Sequence, residues 1–173
     1  MKKNQMSVLQ SSYYAIYSVL IISLFLFTGC KQKVEKEIIS RQEEQLNEKL
    51  DNWHRAAAEA DYENYFGFIA SEGIYIGTDV TEHWTKKEFS AFSKPYFDKG
   101  KAWSFQAKER NIFLSADAQV AWFDEVLDTW MGDCRASGVL TVIEGEWKLQ
   151  HYQLSVTVPN EKIKEFLELT AKQ

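Results

Sequence analysis

The spacing of hydrophobic and polar positions changes along the chain, and the changes divide it. From Tyr13 to Phe27 every position is apolar except Ser18 and Ser23. That run has the length of a signal-peptide core and falls short of the about 20 residues that a bilayer span needs. Charged and polar residues dominate 31–43. Leu46, Leu50, Trp53 and Ala57 then fall at i, i+4, i+7 and i+11, one face of a helix running to about Ala60. Asp61 is placed to cap a second short helix through Phe68. Ile74 to Ile76 reads as a short strand closed by Gly77. Thr85-Lys86-Lys87-Glu88 spells a capping box, in which the Thr hydroxyl and the Glu carboxylate each accept from an orphan backbone N–H. It opens a helix carrying Phe89, Phe92 and Tyr96 that ends near Gly100, with Pro95 expected to kink or shorten it.

Beyond Gly100 the elements read as strands. Trp103–Leu114, Val120–Trp130, Arg135–Ile143 and Trp147–Val158 are strand-length runs, separated by Ser115-Ala116-Asp117, Met131-Gly132-Asp133 and Glu144-Gly145-Glu146. Long strands joined by tight turns predict an antiparallel meander. Pro159-Asn160 ends the last run, and Ile163, Phe166, Leu167 and Thr170 predict a closing helix. Helices first and strands after predict an α+β fold, a curved antiparallel sheet packed on N-terminal helices.

Composition narrows the partners. A chain of 173 residues suggests one domain. Its net charge of −5 argues against nucleic acid, which wants a basic face. Two cysteines cannot build a disulfide framework. Lys2 and Lys3 precede the apolar run, no acidic residue comes before Glu35, and the run stops at Phe27-Thr28-Gly29-Cys30. This resembles a bacterial lipobox, with Phe27 standing where Leu is usual. The chemistry fits: a peptidase needs small side chains beside its cut, and a thiol takes the thioether-linked lipid. The reading is a leader at 1–29, lipidated Cys30 and a tether to 43, and a domain over 44–173. It predicts an exported protein, periplasmic or at the cell surface, held to a bacterial membrane by the lipid on Cys30. Cys134 is then left as a free thiol, expected as a small buried side chain.

The ordered stretches WHRAAAEADYENYF, YIGTDVTEHWTKKEF, VAWFDEVLD and GVLTVIEGEWKLQHYQLS resemble the nuclear transport factor 2-like superfamily, and within it the SnoaL-like, ketosteroid isomerase-homologous branch. The resemblance covers about residues 44–160. It implies a cone-shaped α+β barrel with a pocket between sheet and helices, and a homodimer through the convex sheet. It does not imply one activity, because relatives are isomerases, dehydratases, cyclases, hydrolases and binding or assembly domains. Aligned without gaps on Asp61, the isomerase's helix tyrosine falls at Trp53 and its strand aspartate at Gly77. Trp53 offers one N–H and no phenol, and Gly77 cannot take a proton. Asp79 lies two residues on and could substitute only if the loop shifts. Gln153 stands where many relatives carry His or Asn.

Strand parity sorts the remaining candidates. Trp147, Leu149, His151, Gln153 and Ser155 alternate onto one face, and its apolar start predicts the concave side. Arg135, Ser137, Val139 and Thr141 share a face on the preceding run; if inward, Arg135 sits near His151 or Gln153 and needs a carboxylate. Asp124 and Glu125 are adjacent, so only one enters the pocket. A buried carboxylate beside His151 could act as a general base, or could instead pair with Arg135 as a structural ion pair. The catalytic candidates are therefore Asp124, His151 and Arg135. The ligand-binding candidates are Trp53, Tyr75, Trp84, Tyr96, Trp103 and Trp122, with Glu125, Ser137 and Gln153 as polar groups. An aromatic cavity with few polar groups suits a small apolar or amphipathic molecule. His54, His83 and His151 lie on different elements without metal spacing, and no phosphate loop or dinucleotide fingerprint is present, so neither metal nor cofactor is expected. Three readings remain: a binding lipoprotein, favoured because no complete acid/base pair shows; a cofactor-independent enzyme; and a dimeric assembly module.

Overall fold

The computed structural model describes residues 37–171, and the chain divides into two units, Met1–Gln42 and Glu43–Gln173. The leader and Cys30 lie outside the described residues. Residues 37–42 are helical. The second unit opens with helix α1, residues 43–58, whose Leu46, Leu50, Trp53 and Ala57 are buried as their spacing predicts. Ala60 adopts a left-handed φ of 56° just after the helix, and Asp61 accepts from the Asn64 N–H at 3.1 Å to cap α2, Tyr62–Phe68. Strands β1 (Ile69–Ile76) and β2 (His83–Thr85) follow. Helix α3 (Lys86–Asp98) starts on the expected capping box: Thr85 Oγ1 accepts from Glu88 N at 3.3 Å, and Glu88 Oε2 accepts from Thr85 N at 2.9 Å. Pro95 sits inside α3 and does not end it. It removes the one backbone donor that would bond the Ala91 carbonyl, and α3 continues past it for three more residues. The strands β3 (Gln106–Leu114), β4 (Val120–Thr129), β5 (Gly132–Ile143) and β6 (Glu146–Val156) come next. A short 3₁₀ turn and α4 (Ile163–Thr170) close the described chain.

The strands form one six-stranded sheet in the order β2-β1-β6-β5-β4-β3. The meander β3 to β6 is antiparallel, but β1 pairs with β6 in parallel, so the sheet is mixed. The sequence does not announce β2, which is too short to show an alternation. Between β5 and β6 the turn holds only Glu144 and Gly145, at φ 53° and 82°. Two left-handed residues are what a two-residue hairpin turn of right-handed twist demands.

On β4 the alternation is strict: Ala121, Phe123, Glu125 and Leu127 are buried, and the residues between them are not. On β5 the inward set is Cys134, Ala136, Gly138 and Leu140. Arg135 and Ser137 therefore point away from the helices, which corrects the parity assumed for them. Cys134 is a buried free thiol, as a small side chain should be. At Gly138 an added Cβ would lie 2.6 Å from the Phe123 ring and 2.8 Å from the His151 carbonyl.

The last strand departs from simple alternation. Leu140 pairs with Leu149, but Val139 pairs with His151, leaving Gln150 as an extra residue, a β-bulge. The bulge reverses the phase of β6. Leu149 is buried before it, and Tyr152 and Leu154 are buried after it. His151, Gln153 and Ser155, expected on the concave side, lie on the opposite face. The Gln150 amide donates to the Glu72 carbonyl at 3.2 Å, beside an irregular stretch of β1, and so holds the bulge on both strands.

Candidate functional site

The helices and the inner sheet face enclose an aromatic ladder. Tyr75 on β1 stacks on Phe89 of α3 with centroids 3.9 Å apart. Phe89 stacks in turn with Trp84 at 5.4 Å and Trp103 at 5.7 Å, and Trp84 continues to Phe92 at 4.8 Å. The capping box sets this order, because it starts α3 at the register that puts Phe89 and Phe92 beside Trp84 of β2. The ladder fills most of the interior and leaves a notch of about 120 Å³ at its end. Tyr75, Trp84, Phe89, Phe92 and Trp103 line one side. Phe105, Leu154 and Trp130 complete the apolar walls, while Gly77, Thr78 and Glu82 supply the rim. Trp130 is 81% exposed on the β4–β5 turn and stacks on no other ring among the described residues. An apolar cavity of about 150 Å³ holds one benzene-sized guest, and this notch is of that order. Larger clefts of about 410, 360 and 610 Å³ open elsewhere on the surface, bordered largely by charged and amide side chains. The notch is the smaller space, but among these clefts it is the one with converging aromatic walls.

A second cluster is buried behind the ladder. Glu125 is 0% exposed, and both its oxygens are occupied. Oε1 accepts from the Tyr152 hydroxyl and from His54 Nε2, each at 3.0 Å, and Oε2 accepts from Arg110 Nε at 2.8 Å. The Arg110 side chain, 4% exposed, also donates from Nη1 to Asp51 Oδ1 at 2.8 Å and to the Asn47 carbonyl at 3.2 Å. Burial pushes the Glu125 carboxyl up, but His54 and Arg110 outweigh it and hold the group below its usual range. Burial, with the charge of Glu125 added, raises the Tyr152 phenol well above its usual value. Such a carboxylate is a poor proton acceptor, since its basic lone pairs already face donors.

The predicted residues separate by place. Tyr75, Trp84 and Trp103 meet at the notch. Trp53 is core, its Nε1 donating to the Tyr65 carbonyl at 3.2 Å, and Glu125 belongs to the buried cluster. Tyr96 is exposed on α3 against Phe92, away from the notch lining. Asp124, Arg135, His151, Ser137, Gln153 and Trp122 all lie on the outer sheet face. There Asp124 and Arg135 form a surface pair at 3.6 Å, so no catalytic set assembles from Asp124, His151 and Arg135. The carboxylate that enters is Glu125, and its arginine is Arg110, directly opposite in register, rather than Arg135. Parity with buried Ile112 was the available signal for Arg110. The bulge concealed Tyr152, and Trp130 sits in a turn where no periodicity speaks.

A SnoaL-like domain model matches residues 46–159. The chain belongs to the SnoaL-like domain family. Solved structures similar to this SnoaL-like domain share its nuclear transport factor 2-like fold. One is an NTF2-like protein of unknown function from Pseudomonas putida KT2440, 13% identical, with a TM-score of 0.59 over 71% of this chain and 92% of that one. Another is an NTF2-like protein from Cytophaga hutchinsonii, 15% identical, TM-score 0.57, over 67% and 98%. A third is the association domain of C. elegans CaMKII, 17% identical, TM-score 0.56, over 68% and 97%. No curated protein matches the chain.

Proposed function

We propose that this SnoaL-like domain is a binding module that seats one small apolar group in the notch walled by Trp84, Trp103 and Trp130, carried on an exported lipoprotein anchored through Cys30. The notch is the observation that supports it: aromatic walls surround open space large enough for one ring. Binding is favoured over turnover. Glu82 is the only carboxylate bordering the notch among the described residues, and no histidine accompanies it. The buried pair of His54 and Glu125 is committed to Tyr152 and Arg110. Thermal unfolding in the presence of apolar compounds of graded size tests the reading. At a concentration of 100 times Kd a ring-sized guest stabilises by about 2.7 kcal/mol, and Leu154→Trp, which fills the notch, abolishes the shift. No stabilisation by any compound overturns the reading. Anchoring is tested separately: Cys30→Ala should release the protein from the membrane fraction.

Assembly is a second reading, favoured by the outer sheet face. Trp122 is 47% exposed there and stacks on exposed Phe113 at 5.8 Å. One of the similar structures is an association domain by its own description. A homodimer would cover these rings.

A further inference from the structure

Glu82 gives the notch a charge that aromatic walls alone do not. Its carboxylate lies across Gly77, where any Cβ would collide with it, so glycine at 77 makes the room that the acid occupies. The turn is closed by Gly77 N donating to the Glu82 carbonyl at 2.9 Å, and Asp79 N donates to Glu82 Oε2 at 3.2 Å. Among the described residues no Lys, Arg or His pairs with Glu82, and no basic side chain lines the notch. Its charge reaches the notch floor: burial first, then Glu82, raises the Tyr75 phenol. Three indoles, at Trp84, Trp103 and Trp130, border the same space, and a cation is attracted to such electron-rich rings.

Resting on the binding function proposed above, we infer that the occupant is an organic cation of the N-methylated ammonium class, its head group against the tryptophans and its charge facing Glu82. An unmethylated ammonium is the poorer fit. It carries three N–H donors, and the side chains of the rim offer only the Glu82 carboxylate and the Thr78 hydroxyl as acceptors. Methyl groups remove those donors and fill an apolar space of about 120 Å³ while keeping the charge. Neutral guests of the same shape gain the apolar contact and lose the attraction of ring faces and carboxylate.

The test is a tryptophan-fluorescence titration of the full chain with choline and with its neutral carbon isostere, 3,3-dimethylbutan-1-ol. The expected result is quenching by choline with an affinity about tenfold above that of the isostere. Glu82→Gln, which keeps the side chain's shape, should bring the ratio of choline affinity to isostere affinity down toward one. Equal affinities in the wild-type protein, or choline binding unchanged in Glu82→Gln, overturn the cation inference while leaving a notch that binds apolar groups. Binding of neither compound overturns both.

Discussion

Glu125 shows how one side chain can be indispensable to the interior without being available for chemistry. Its two oxygens answer three donors, and Arg110 shares its charge between Glu125, which is fully buried, and Asp51, which is exposed. Removing one partner of such a buried pair strands the other's charge, so Glu125→Ala and Arg110→Ala should each destabilise the domain by about 3–5 kcal/mol in denaturant unfolding. The pH dependence follows from the direction of the shift. The folded carboxyl sits below its ordinary value of 4.5, so the native state holds fewer protons than the unfolded state as pH falls through that range. Its contribution is complete above that value and is lost as pH drops toward the folded value. Thermal midpoints measured from pH 7 to pH 3 should fall more steeply for the wild-type protein than for Glu125→Gln. A packing effect sits nearby: Gly138→Ala would press a methyl into the Phe123 ring, at a cost of about 1–3 kcal/mol. The sequence reveals that only one of Asp124 and Glu125 enters, but apolar residues flank both, and the structure names the one. Phe123 and Leu127 alternate with Glu125, and both are buried.

Elements were legible where periodicity is long or a cap is explicit. The face of α1, the capping box of α3 and the four-strand meander all follow from spacing alone. Thr85→Ala removes an acceptor at the start of α3 and should cost about 1 kcal/mol, read by denaturant unfolding. The last strand was misread from His151 onward because alternation carries no mark of an inserted residue. The bulge depends on contacts with β1, which lies far away in sequence. Deleting Gln150 removes the extra residue, so that Leu149, His151 and Tyr152 alternate simply and Tyr152 and Leu154 stay inward. Near-ultraviolet circular dichroism and a cooperative unfolding transition should therefore be retained. Substituting Gln150 by Ala keeps the bulge and removes the amide's bond to the Glu72 carbonyl, at a cost of about 1 kcal/mol. The candidate site is affected most, since two of its expected members, His151 and Gln153, follow the bulge.

At the scale of the molecule, two surfaces stand apart: the aromatic notch at the rim of the ladder and the outer sheet face around Trp122. Trp122→Glu should reduce any dimer to a monomer by native mass spectrometry and leave the unfolding free energy of the monomer within about 0.5 kcal/mol of its unperturbed value. Retained dimer would place the contact elsewhere. One wall of the notch differs in kind from the others. Trp130 hangs on the turn between β4 and β5, whereas its opposite walls are ring-stacked across packed elements. Turns accept added or altered residues that packed strands and helices refuse. On the proposed binding function, the breadth of guests rests on one exposed side chain in a turn, and specificity can be redrawn at residue 130 without disturbing the rings packed opposite it.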